Sequence, residues 1–339
     1  MRRVLLAAVL ALLLAELASS APYVPIVYQQ NLPAEVVVAA TIGERYLVCL
    51  STGECLTLDP SSGAVISRGN FYGVDIEQVV QAGDRLFIVS STGMILAVNP
   101  SDFSQVKSYS VLKQGETSLL RAAFSKDGRY AALAVKHLVQ GYYQDRLVVV
   151  DLASGKRLYE RDYSSSDPLV YVFSLDSFGD FFVIESINTS CHLCQLTDNM
   201  IEVYRFGSPV QRVARRQTGL TRFKVFAGDT LIVQRVEDNL LVAFSLPSLE
   251  LVASRVFPAV RQAFPLGDKA LLVTEDNELW LCGGGLDCRR LGAVPPRSQV
   301  AAVGGYVVVF SIPQVAVYTL GTSGLAGPVA SREIGWDFP

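Results

Sequence analysis

A glycine-led reversal followed by an aliphatic run recurs seven times along this chain, and it restricts the fold more than any other feature. Ile42-Gly43-Glu44-Arg45 leads into Tyr46-Leu47-Val48, and Ala82-Gly83-Asp84-Arg85 leads into Leu86-Phe87-Ile88. The same signal recurs at Asp127-Gly128, Gly179-Asp180, Gly228-Asp229, Gly267-Asp268 and Gly304-Gly305. Between successive glycines the steps are 40, 45, 51, 49, 39 and 37 residues. Such a step suits four short strands and their turns, with glycine supplying the positive φ that a tight turn needs. The spacing predicts an all-β chain, a seven-bladed β-propeller of four-stranded antiparallel blades. The blades are expected over approximately 34–74, 75–117, 118–167, 168–219, 220–260, 261–296 and 297–339. In the second unit the strands are predicted at 77–81, 86–90, 94–99 and 105–111. No stretch shows a long helical period.

The N-terminus reads as a processing segment. Arg2-Arg3, an apolar run from Val4 to Leu14 and the small residues Ala18-Ser19-Ser20 have the layout of a secretory signal peptide over 1–20. An uncleaved anchor is the other reading of the same segment, although the run is short for a membrane span. No later segment is long and apolar enough to cross a bilayer once the signal is cleaved. With 29 basic against 32 acidic residues and no later basic run, the chain lacks the electrostatic footprint of a nucleic-acid or anionic-membrane binder.

Export would place six cysteines in an oxidising compartment. Cys49 and Cys55, and Cys282 and Cys288, each straddle a predicted hairpin turn at the same separation. Directly opposed residues on antiparallel strands have Cβ atoms about 4.5–5.5 Å apart, close to what a disulfide needs. Cys191 and Cys194 bracket His192-Leu193 and are expected to close a small loop. Buried free thiols are the other reading of each pair.

The turns Asp59-Pro60-Ser61-Ser62-Gly63 and Asp151-Leu152-Ala153-Ser154-Gly155, and in part Asn99-Pro100-Ser101-Asp102, resemble the repeats of quinoprotein-like (PQQ-like, WD40-like) propellers, a family that includes outer-membrane assembly lipoproteins. The resemblance implies the fold and not the cofactor chemistry. Trp280 and Trp336 are the only tryptophans, and neither aligns with the residue that stacks on the quinone in that family's enzymes. No cofactor is expected.

Two units carry extra residues between their second and third strands, at 136–144 and 186–199. Alternate turns of a meander emerge on opposite faces of the disc, so these insertions share a face and adjoin. They are the candidate recognition surface, with His137, Tyr142, Tyr143 and His192 as its residues. Asn188-Thr189-Ser190 is a glycosylation sequon in the same insertion. A metal site at these histidines and cysteines is not expected, because a disulfide would remove both thiolates.

A second candidate lies on the innermost strands. Six residues before each glycine turn, shifted by one in the third unit, stand Val37, Glu77, Arg121, Phe173, Arg222, Arg261 and Ser298. Alternation would place Lys224 on the face of Arg222, so Arg121, Arg222, Lys224 and Arg261, with Glu77 as counter-charge, are expected to line a funnel suited to an anion. No nucleophile elbow, zinc helix or phosphate loop is present, and no catalytic residue is assigned. The expected function is an exported, non-enzymatic module of the cell envelope that binds a protein or glycan. The alternative is a propeller enzyme or small-molecule binder using the arginine-lined funnel. The outer strand that closes the ring is expected either from 22–33 or from 328–334.

Overall fold

A computed structural model describes residues 26–31, 36–60, 64–139, 142–163, 169–189, 196–294, 296, 299–303, 306–311 and 314–319. The signal segment 1–20, the 328–334 stretch, Ser298, Cys191, His192 and Cys194 lie outside the described residues. Four consecutive strands form an antiparallel sheet over each of the spans 36–70, 76–110, 116–163, 169–217, 221–256 and 260–293. In the second of these the strands are Ile76–Ala82, Arg85–Ser90, Met94–Val98 and Gln105–Ser110, each within a residue of its expected position.

The second strand of each blade has an apolar centre because both of its faces are covered there. In Arg85–Ser90, Phe87 and Val89 pack toward the third blade while Leu86 and Ile88 pack toward the first. A period-two strand thus divides its side chains between two interfaces. Equivalent apolar layers join the third blade to the fourth, the fourth to the fifth and the fifth to the sixth. Fourth strands are mostly exposed, as Gln105–Ser110 and Leu251–Val256 show. First strands touch between the first and second, second and third, third and fourth, and fifth and sixth blades, so they surround the axis.

The expectation of seven like blades is corrected. Six blades are built from four consecutive strands, not seven. The last repeat supplies only Gln299–Val303, Tyr306–Ser311 and Gln314–Thr319, and the fourth strand of that sheet is Ile26–Asn31, antiparallel to Gln314–Thr319. A ring interrupted within one sheet leaves each chain end with an open edge, and pairing the two ends covers it. Gln299–Val303 touches the first strands of both the sixth blade and the first, and Val300 and Val307 pack on the sixth blade's apolar layer.

Glycine turns on one face of the disc rest against one another. Gly83 has φ +62°, and a Cβ there would lie 3.1 Å from the carbonyl oxygen of Asp127 in the next blade. The Gly228 N–H donates to the Gly267 carbonyl at 2.8 Å, and the Lys126 N–H to the Gly179 carbonyl at 3.2 Å. The opposite face carries the turns between second and third strands.

Candidate functional site

Every first strand of the six blades carries a β-bulge near its start. The ladder shifts between Val36 and Val38, Ile76 and Gln78, Leu119 and Arg121, Val172 and Ser174, Thr221 and Phe223, and Val260 and Gln262. The extra residues are Val37, Glu77, Leu120, Phe173, Arg222 and Arg261. A bulge adds one unpaired residue and re-aims its side chain. The funnel residues counted from the sequence therefore coincide with the bulges in five blades, while in the third the bulge residue is Leu120 and Arg121 follows it.

The charged members have different surroundings. Glu77 and Arg121 are exposed, and Arg121 Nη1 donates to the Leu120 carbonyl at 2.9 Å. Arg222 Nη1 donates to Glu275 Oε1 at 3.1 Å. Arg261 is half-buried, and burial pushes its guanidinium pKa down. Lys224 is separated from Arg222 by the bulge and does not share its setting. Its side chain is 4% exposed, with Nζ 2.9 Å from Asp176 Oδ2 and 3.3 Å from the Val183 carbonyl, tying the fifth blade to the fourth.

Buried polar side chains hold the bulges in place, and sequence reasoning missed them. Asp145 Oδ2 accepts from the Val172 N–H at 2.8 Å, and Gln234 Oε1 accepts from the Val260 N–H at 2.9 Å. Gln234 Nε2 donates to the Phe257 and Pro258 carbonyls at 3.2 and 3.0 Å. At the start of the fifth blade the Thr221 hydroxyl donates to Glu185 Oε1, and Asn199 Nδ2 donates to the same carboxylate oxygen at 2.6 Å. In each case the anchor belongs to the preceding blade. Gln78 makes a related tie, its amide exchanging two 3.0 Å hydrogen bonds with the backbone of Ala122. A lone polar residue between apolar neighbours and a turn, such as Gln234, was the available signal.

The described parts of the two insertions are strand extensions. In the third blade Tyr130–Val139 and Tyr142–Asp151 stay paired to their ends, with Lys136 opposite Asp145, His137 opposite Gln144, Leu138 opposite Tyr143 and Val139 opposite Tyr142. In the fourth, Phe181–Thr189 pairs with Leu196–Arg205 as far as Thr189 and Leu196. Leu138 and Tyr143, near the tip, are 48% and 59% exposed. His137 is buried nearer the base, with Nε2 3.3 Å from Arg146 Nη2 and 3.7 Å from Asp162 Oδ1. The backbones of Tyr142 and Asn188 are placed in these strands, and their side chains lie outside the description.

Arg146 and Arg157 organise the base of this hairpin. Arg157 grips Glu116 with two hydrogen bonds of 2.7 and 2.6 Å and the Val111 carbonyl with a third of 2.8 Å, while Arg146 bonds Asp162 at 2.5 and 3.2 Å. Disulfides join Cys49 to Cys55 and Cys282 to Cys288 across hairpin turns, as their spacing predicts. Among the described residues no group of three or more His, Cys, Asp or Glu could hold a metal, and no helix is long and apolar enough to cross a membrane.

No protein-family model and no curated protein matches the sequence. Among solved structures, the chain is similar to BamB from Moraxella catarrhalis, with 12% identity over 82% of each chain and a TM-score of 0.44. It is similar to the Neurospora crassa Pan2 WD40 domain, with 9% identity over 84% of this chain and 89% of that one and a TM-score of 0.55. Chaetomium thermophilum Raptor matches with 14% identity over 90% of this chain but 30% of its own length, with a TM-score of 0.62. The likeness to the WD40 domain and to Raptor is one of fold: this chain is a β-propeller.

Proposed function

We propose that the chain is a non-enzymatic protein-binding module outside the cytoplasm, and that it receives its partner on the face bearing the extended hairpins of the third and fourth blades. The observation that carries this reading is the third hairpin, a ladder prolonged to Val139 and Tyr142 that presents Leu138 and Tyr143 to solvent. Exposed Tyr is the side chain best suited to an interface, with large area and few torsions to immobilise. Rigidity comes from below, where the Glu116, Arg157, Arg146 and Asp162 network locks the hairpin to its blade. The extracytoplasmic setting is supported by two disulfides and by the secretory layout of the N-terminal segment.

A photo-crosslinking residue at position 143, introduced in the full chain, tests the reading in intact cells. A discrete crosslinked species in the envelope fraction, lost when Leu138→Asp is added, is the expected result. Crosslinks that persist unchanged with Leu138→Asp, or form equally from a residue on the glycine-turn face, would sink the assignment.

A further inference from the structure

Between the outer strand of the second blade and the turn that joins the last two strands of the third lies a groove of about 490 Å³. Its walls include Lys107, Tyr109, Val111, Lys113, Leu152 and Arg157, and no acidic residue lines it. Val111 and Leu152 belong to the apolar layer between the two blades and form the floor. The cations differ in how far they are committed. Arg157 is engaged by Glu116 and the Val111 carbonyl, and Lys113 Nζ stands 3.1 Å from Glu160 Oε1. Lys107 Nζ lies over the Tyr109 ring, 4.8 Å from its centroid, and 3.4 Å from the Leu152 carbonyl. Among the described residues no carboxylate pairs with Lys107.

One wall of the groove is also a sheet edge. Gln105–Ser110 is the last strand of its sheet, so one side of its backbone has no strand neighbour. An open edge beside an apolar floor suits a chain that brings its own backbone donors and acceptors, which an aliphatic anion cannot supply along its length. Lys107 and Lys113 are six residues apart, a span of at most about 20 Å at roughly 3.3 Å per extended residue, with the strand itself ending at Ser110.

We infer that this groove binds an extended acidic peptide segment of a partner protein, pairing along the outer edge of the second blade, with apolar side chains on the Val111 and Leu152 floor and carboxylates toward Lys107 and Lys113. This site is distinct from the hairpin tips, and the two stand or fall separately.

The test uses the full chain and a fluorescent pool of nonapeptides with glutamate at positions 2 and 8 and mixed Val, Leu, Ile and Phe between. Fluorescence anisotropy should show saturable binding by this pool and none by its lysine counterpart. Lys107→Glu exchanges an attraction for a repulsion and should weaken binding roughly tenfold. Ala153 is exposed on the rim, so Ala153→Trp fills the groove without entering the core and should abolish binding while circular dichroism stays unchanged. Tyr143→Asp should leave peptide affinity as it was, which separates this site from the hairpin. Absence of saturable binding, equal binding of the lysine pool, or affinity unchanged by both groove variants would overturn the inference.

Discussion

Asp145 takes a carboxylate into an interface where it has one strong partner, the Val172 N–H at the start of the next blade. Burial pushes its pKa above the usual carboxylate range, against the pull of that hydrogen bond and of nearby Lys136 and His137. A raised folded pKa means that the folded state holds the proton longer, so stability falls as pH rises from the unfolded pKa through the folded one. Asp145→Asn keeps an oxygen for Val172 and discards the charge. It should match or exceed the parent's stability at pH 8, with the advantage shrinking toward pH 4. Asp145→Ala leaves the N–H orphaned and should cost about 1–3 kcal/mol at either pH, read by urea unfolding. Glu116 has the opposite sign. Burial alone would raise its pKa, but hydrogen bonds from Arg157 and the Lys113 N–H, with the charge of Arg146, hold it below the usual range. Its contribution is present above the unfolded pKa and is lost as pH falls through the folded one. Its side chain and that of Arg157 are 2% and 7% exposed, so Arg157→Ala strands a buried carboxylate and should cost about 3–5 kcal/mol at pH 7.

At the scale of the strand and its turn, the glycines serve two purposes that substitution can separate. Gly179 has φ +57° with open space where a Cβ would stand, whereas Gly83 has φ +62° and the Asp127 carbonyl 3.1 Å from that position. Gly179→Ala should cost only the left-handed backbone penalty, about 1–2 kcal/mol. Gly83→Ala should cost measurably more in the same denaturation assay, because two blades must also part. Equal losses would mean that the turns do not bear on one another. These turns and the aliphatic strands after them were legible in the sequence because glycine spacing and period-two apolarity are local signals. The hairpin disulfides were legible for the same reason, each cysteine pair lying opposed with Cα atoms 4.0 or 4.1 Å apart. The bulges were not. One inserted residue breaks alternation, so Lys224 leaves the face of Arg222 and the third blade presents Leu120 where counting from the turn pointed to Arg121. Nor were the anchors, since Gln234 and Asp145 read as solvent residues until the next blade covers them.

For the molecule as a whole, the decisive element is the sheet that belongs to both ends of the chain. Each self-contained blade is closed by local hairpins, but the last sheet depends on Ile26–Asn31 crossing nearly the whole sequence to reach Gln314–Thr319. The sequence left this closing strand open between 22–33 and 328–334, and Ile26–Asn31 fills the place, because the pairing is set by ring geometry and not by a local signal in either segment. With the strand in place, opening the ring must break either its ladder or an apolar interface between blades, so the blades should unfold together. Deleting 26–31 leaves Gln314–Thr319 (Gln-Val-Ala-Val-Tyr-Thr) as a bare, uncharged edge of the kind that recruits other chains. The truncated protein should melt earlier, by about 2 °C for each kcal/mol of lost pairing in a large domain, and should form concentration-dependent oligomers. A synthetic peptide spanning 23–32, added in excess, should restore both the melting temperature and the monomer by the mass action of a ligand that binds only the folded state. Calorimetry and size-exclusion chromatography read both effects. A deletion that melts like the parent and stays monomeric would show that the ring is held shut by its inner strands and apolar layers alone.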